Sequence, residues 1–113
     1  MFLKQEYILE FMQSIPNATP ALHIFVCIND RTNSTDTKPS CGPTITPEMV
    51  KEVKLWVRQQ GWTSRVYVTK AQCLGFCNPE GGVACAYPQG RFVKGLQLTE
   101  DIKNFVKEEL ESR

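Results

Sequence analysis

Five cysteines carry the most distinctive chemistry in this sequence. Thirteen residues separate Cys27 from Cys41, thirty-one separate Cys41 from Cys73, three separate Cys73 from Cys77, and seven separate Cys77 from Cys85. Thiolates are soft ligands that suit iron–sulfur clusters and zinc, and four of them complete the coordination of either. The odd count argues against a disulfide framework and fits four ligands with one buried spare. Structural zinc sites more often use two tight pairs with roughly two to four intervening residues, a pattern from which Cys27 and Cys41 depart. Glycines also bear on the choice: Gly42 follows Cys41 and Gly75 lies between Cys73 and Cys77. Without a Cβ, the chain there can approach a group bulkier than a lone ion, and backbone N–H groups around Gly42, Leu74, Gly75 and Phe76 are expected to donate to sulfur.

Other reactive residues read as structural. Cys85 lies in GGVACAYP, on a strand face with Val83 and Tyr87, and is expected to be an inert core thiol. His23 is the sole histidine. It stands four positions before Cys27 in one strand, about 13 Å away at about 3.3 Å per residue, too far for a Cys–His nucleophile pair. Trp56 and Trp62 are expected to pack at a helix end. There is no CxxC pair, no phosphate-binding glycine loop and no carboxylate pair at an identifiable pocket, so an enzyme is not expected.

The positioning elements follow from periodicity. Residues 2–15 read as an amphipathic helix with Ile8, Phe11, Met12 and Ile15 on one face, ended by Pro16 and Asn17. A linker leads into the strand HIFVCI, and residues 29–46 form a long polar loop containing Cys41. Thr46, Pro47 and Glu48 start a helix whose inner face carries Met49, Val50, Val53, Trp56 and Val57 and which Gly61 stops. RVYVTK is a strand, AQCLGFCNPEGG a second cysteine loop, and GGVACAYP with RFVKG a hairpin turning at PQG. Thr99 is expected to cap a final helix buried through Ile102, Phe105, Val106 and Leu110, with a solvated Glu- and Lys-rich face.

This order predicts an α/β protein, a mixed sheet with flanking helices in a single domain over 1–113, with 1–21 an added helix and linker. If the two strands of the crossover are parallel neighbours, both cysteine loops leave the same sheet edge. Cys27, Cys41, Cys73 and Cys77 then converge.

Composition limits the alternatives. Of 113 residues 42% are apolar and 22% charged, as in ordinary globular proteins. Thirteen basic against twelve acidic residues give a net charge of +1, which does not suggest a nucleic-acid binder. The N-terminus lacks the pattern of a secretory signal, and no apolar run is long enough for membrane insertion. A cytoplasmic, reducing location is expected.

FVCINDR at 25–31, SCG at 40–42, VTKAQCLGFC at 68–77, YPQG at 87–90 and a closing helix from TEDI at 99 together resemble the thioredoxin-like 2Fe-2S ferredoxins, related to the small 2Fe-2S subunit of NADH dehydrogenase. The resemblance spans about residues 22–110. It implies a thioredoxin-like fold, a 2Fe-2S cluster on Cys27, Cys41, Cys73 and Cys77, one-electron exchange with redox partner proteins, and a homodimer in many members. The N-terminal segment, the less aromatic RFVKG and the extra Cys85 depart from that pattern. A thiol-disulfide oxidoreductase and a zinc-binding structural or interaction module are the competing readings. Lys38, Lys70 and Glu80 are candidate borders of a docking surface around the cysteine loops.

Overall fold

A computed structural model describes residues 12–16, 20–31 and 39–112. Its centre is the strand Leu22–Cys27 (β1), in which Leu22, Ile24 and Val26 are fully buried while His23 and Phe25 on the opposite face are half-buried. That period of two is what a pleated strand requires when its two faces meet different surroundings.

Helix α1 (Pro47–Gln59) follows, then strand β2 (Val66–Ala71), the hairpin strands β3 (Gly82–Tyr87) and β4 (Arg91–Leu96), and helix α2 (Thr99–Glu111). The sheet order is β2-β1-β3-β4. β1 and β2 are parallel, and the other two pairings are antiparallel. The α/β mixed sheet expected from the sequence is present.

Both helices cover the face that carries Leu22, Ile24 and Val26. Val50, Val53 and Val57 of α1 and Ile102, Phe105 and Val106 of α2 join Val66, Val68, Ala84, Ala86, Leu96 and Ile45 in one core. The opposite face is aromatic: His23 stacks on Phe25 at 4.1 Å, Phe25 meets Tyr87 at 5.9 Å, and Phe76 from the second cysteine loop meets Phe92 at 5.0 Å.

The ends of α1 behave as read. The Thr46 hydroxyl accepts from the Met49 N–H at 3.3 Å, and Gly61 takes φ +79°. The N–H of Gly61 donates to Arg58 O at 3.0 Å and that of Trp62 to Val57 O at 3.1 Å, so a Schellman closure satisfies the last carbonyls.

Helix α2 begins differently. Leu98, not Thr99, occupies the cap position and offers no side-chain acceptor. The Asp101 carboxylate instead reaches back to the N–H groups of Leu98 at 2.9 Å and Gln97 at 2.8 Å. Those two bonds hold its carboxyl below the usual carboxylate range. Its stabilisation is present above the unfolded value and is lost as pH falls through the lowered folded value. Asp101→Ala is therefore expected to cost about 1 kcal/mol at neutral pH, read by urea unfolding, with the gap to wild type closing in strong acid.

Glu109 also departs from a wholly solvated outer face. It is buried, and its charge is answered by the Arg91 guanidinium at 2.9 Å, which links α2 to β4. The helix expected over 2–15 lies outside the described residues as far as residue 11. Its last four positions, 12–15, are not helical, and Met12 and Ile15 are exposed.

Candidate metal centre

Strand order explains why distant cysteines meet. Cys27 is the last residue of β1 and pairs in register with Ala71, the last of β2, so both strands end at one sheet edge. Antiparallel β3 starts at that edge on the other side of β1. The segment joining β2 to β3 must cross the end of β1, and it carries Cys73 and Cys77 over Cys27.

Cys41 arrives by a separate fold-back. Gly42 forms an isolated parallel bridge with Asp30, and its N–H donates to Asn29 O at 2.7 Å. A Cβ on Gly42 would lie 2.8 Å from the Asp30 Cβ, so this approach requires glycine. Ser40 Oγ accepts from the Arg31 N–H at 3.1 Å and donates to Gly42 O at 2.7 Å, closing the neck of the excursion. Beyond Cys41, the Ile45 N–H donates to Cys41 O at 2.9 Å while the Ile45 side chain sits fully buried in the main core.

Cys77 is the hub of the result. Its Sγ lies 3.5 Å from Cys41 Sγ, 3.8 Å from Cys27 Sγ and 3.9 Å from Cys73 Sγ. The Sγ atoms of Cys27, Cys41 and Cys77 all lie within 4.8 Å of one another. Cys27 and Cys41 are fully buried and pack with Val83 and Leu74, Cys77 is half-buried, and Cys73 is exposed at the rim. A groove of about 270 Å³ lined by Arg31, Pro39, Cys73, Gly75 and Cys77 opens in front of the thiols. The structure thus brings together three of the four expected ligands tightly and sets the fourth beside the hub.

Backbone donors only partly follow expectation. The Gly75 N–H, at φ +87°, donates to Cys73 Sγ at 3.3 Å. The Gly42 N–H faces Asn29 O and not sulfur, so Gly42 serves close backbone packing. The sequence reading missed Val83, whose N–H faces the Cys41 sulfur, because a β-strand valine advertises no polar role. It also missed the Gln72 carbonyl, which accepts from Cys27 Sγ at 3.5 Å. Burial, reinforced by the neighbouring Cys27 and Cys77 thiols, pushes the Cys41 thiol far above its usual range, against the opposing pull of the Val83 N–H.

The remaining candidates stand apart from this pocket. Cys85 is buried, pairs across the sheet with Phe25 and Phe92, and has its thiol pushed up by burial, opposed by the Phe25 backbone N–H. His23 Nε2 meets Thr69 Oγ1 at 2.8 Å, and burial lowers its pKa. Trp56 and Trp62 pack edge to face at 5.3 Å. Among the expected docking residues, Lys70 is exposed, Glu80 pairs with Lys94 at 2.9 Å, and Lys38 lies outside the described residues.

Neither a family model nor a curated protein matches the sequence. Solved structures do. The crystal structure of the wild-type thioredoxin-like [2Fe-2S] ferredoxin from Aquifex aeolicus superposes with a TM-score of 0.67 at 22% identity, covering 82% of this chain and 88% of that one. Another structure of a thioredoxin-like [2Fe-2S] ferredoxin from Aquifex aeolicus gives 0.67 at 22% identity over 83% of this chain and 84% of its own. A cysteine-to-serine variant gives 0.65 at 21% identity over 80% of this chain and 88% of its own. Across that coverage, the chain has the thioredoxin-like fold of those ferredoxins.

Proposed function

We propose that this chain is a one-electron carrier, not an enzyme, with a 2Fe-2S cluster held by Cys27, Cys41, Cys73 and Cys77. The observation that carries the reading is the convergence of four soft donors from two separate segments at one sheet edge, beside an open groove. The donor set fits such a cluster: all four side chains are cysteines, and the groove at Cys73 and Cys77 leaves room for more than a single ion. That the superposing structures are of ferredoxins with this cluster type supports the same reading.

The cluster supplies one-electron chemistry when bound. The chain's own residues set the conditions for it. Val83 and Gly75 aim N–H dipoles at the Cys41 and Cys73 sulfurs, which stabilises negative charge there. The apolar wall of Val83 and Leu74 keeps water from the Cys27 and Cys41 side. Cys73 at the exposed rim and Phe76, itself 60% exposed, mark the side from which a redox partner protein approaches.

Within this reading the chain works in the cytoplasm, and the homodimer that the family resemblance implies is its candidate assembly. No helix among the described residues is long and apolar enough to cross a membrane. Anaerobically prepared full-length chain is expected to contain about two iron and two acid-labile sulfide per polypeptide, with visible absorption that bleaches on one-electron reduction. Stoichiometric zinc without sulfide, or dithiol-exchange turnover by cluster-free protein, would overturn the assignment.

A further inference from the structure

Strand β2 ends the sheet, and no strand lies beyond it among the described residues. The Arg65 and Ala71 carbonyls, at its two ends, accept from the Leu22 and Ile28 N–H groups at 3.0 and 2.8 Å. Hydrogen-bonding direction alternates along a strand, so the N–H and C=O groups of Val68 and Lys70 point away from β1, to the open edge. Pairing with β1 runs through the whole of β2 without a register shift, whereas a shift between Gly82 and Ala84 interrupts the β3–β4 pairing at the opposite edge. β2 therefore offers a regular ladder to a further strand. Two adjoining grooves of about 270 and 320 Å³ run between this edge and α1 and meet at Lys54. Val57, Val66 and Val68 line the first; Lys51 and Lys70 join Lys54 in the second, with Glu48 as its one acid. Lys51, Lys54, Arg58 and Lys70 have no ion-pair partner among the described residues.

We propose that an extended, acidic segment of a partner protein adds as a strand to β2, seating apolar side chains on Val57, Val66 and Val68 and carboxylates against Lys51, Lys54, Arg58 and Lys70. Three features select that occupant. The outward N–H and C=O groups call for an extended backbone, because a strand edge is matched at regular spacing only by another strand. Four unanswered cations beside an apolar floor call for a segment that mixes carboxylates with apolar side chains. The six residues of β2 span about 20 Å at about 3.3 Å each, so a segment of similar length covers the edge. Position gives the consequence: Ala71, the last residue of β2, pairs with Cys27, so the end of the segment nearest Lys70 lies beside the thiols. Under the electron-carrier reading this tethers a redox partner next to the cluster. The strand addition itself rests on β2 and α1 and holds whatever the cysteines bind.

The test titrates the full-length chain, as isolated, into a short fluorescent peptide of alternating glutamate and valine and reads anisotropy. Binding is expected at low salt and should weaken as salt rises. A lysine–valine peptide and a fully N-methylated glutamate–valine peptide should bind at least about tenfold more weakly, the first for its charge and the second for its missing N–H groups. Lys51→Glu with Lys54→Glu should lower affinity about tenfold, while Lys94→Glu with Lys107→Glu, the same charge change on β4 and α2, leaves it within about twofold. Amide exchange within β2 should slow on binding while that within β4 does not. Failure of the glutamate–valine peptide to bind, equal binding of its N-methylated form, equal effects of the two double variants, or unchanged exchange in β2 would each overturn the proposal. Self-association of the chain that Lys51→Glu with Lys54→Glu abolishes would assign the edge to a second copy and overturn it as well. Absence of iron and sulfide would strike the electron-carrier reading alone.

Discussion

Cys77→Ser is expected to abolish cluster loading, while Cys85→Ser should leave iron and sulfide content at the wild-type level. Cys77 is the one cysteine whose sulfur approaches all three of its candidate co-ligands, at 3.5 to 3.9 Å, so its loss removes the common point of the constellation. Cys27→Ser and Cys41→Ser are expected to follow it, because both thiols are fully buried and a hard oxygen there offers iron a poorer ligand. Cys73→Ser should yield a distorted cluster, since this exposed rim position leaves room for water or serine oxygen to coordinate. Iron and sulfide analysis with visible circular dichroism separates these outcomes. The ligand set is wrong if Cys85→Ser alone bleaches the protein, or if Cys77→Ser retains its full complement.

Ile45→Ala should produce the largest loss that does not touch sulfur. Ile45 is completely buried in the main core, four residues beyond Cys41, and its N–H holds the Cys41 carbonyl at 2.9 Å. Its Cγ1 lies only 2.3 Å from where a Gly82 side chain would begin, so strand β3 seats directly on it. Truncation leaves a cavity worth roughly 2–5 kcal/mol, read by denaturant unfolding. The same cavity releases the Cys41 turn, so the half-life of the bound cluster should shorten markedly. Ile102→Ala is the control: an equally buried residue on α2, it should cost a comparable amount while sparing the cluster. Equal cluster loss in both variants would show that Ile45 acts through global stability alone.

Local chemistry was legible wherever a residue acts on its immediate neighbours. Thr46, Pro47 and Gly61 bound α1 because capping and left-handed closure are decided within a few residues. The same holds for the period-two burial of β1 and for the turn closed by the Gly90 N–H on Ala86 O at 2.8 Å. The start of α2 was misread because Thr99 and Asp101 both suit a helix N-terminus. Only the path of Gln97 and Leu98 shows that the carboxylate answers both free N–H groups.

Residue types and spacing define the inventory: Cys41, Cys73 and Cys77 in two glycine-bearing loops, Cys27 and Cys85 in strands, and the helices and strands between them. Tertiary structure decided how that inventory is used. Strand order places β1 between β2 and β3, which obliges the second cysteine loop to pass over Cys27. The Asp30–Gly42 bridge returns Cys41 to the same edge. It also decided that Val83 turns an N–H toward sulfur, that Gly42 serves backbone packing, and that Glu109 is buried against Arg91. These pairings join residues far apart in the chain, and local propensity carries no information about contacts that exist only once the sheet has closed.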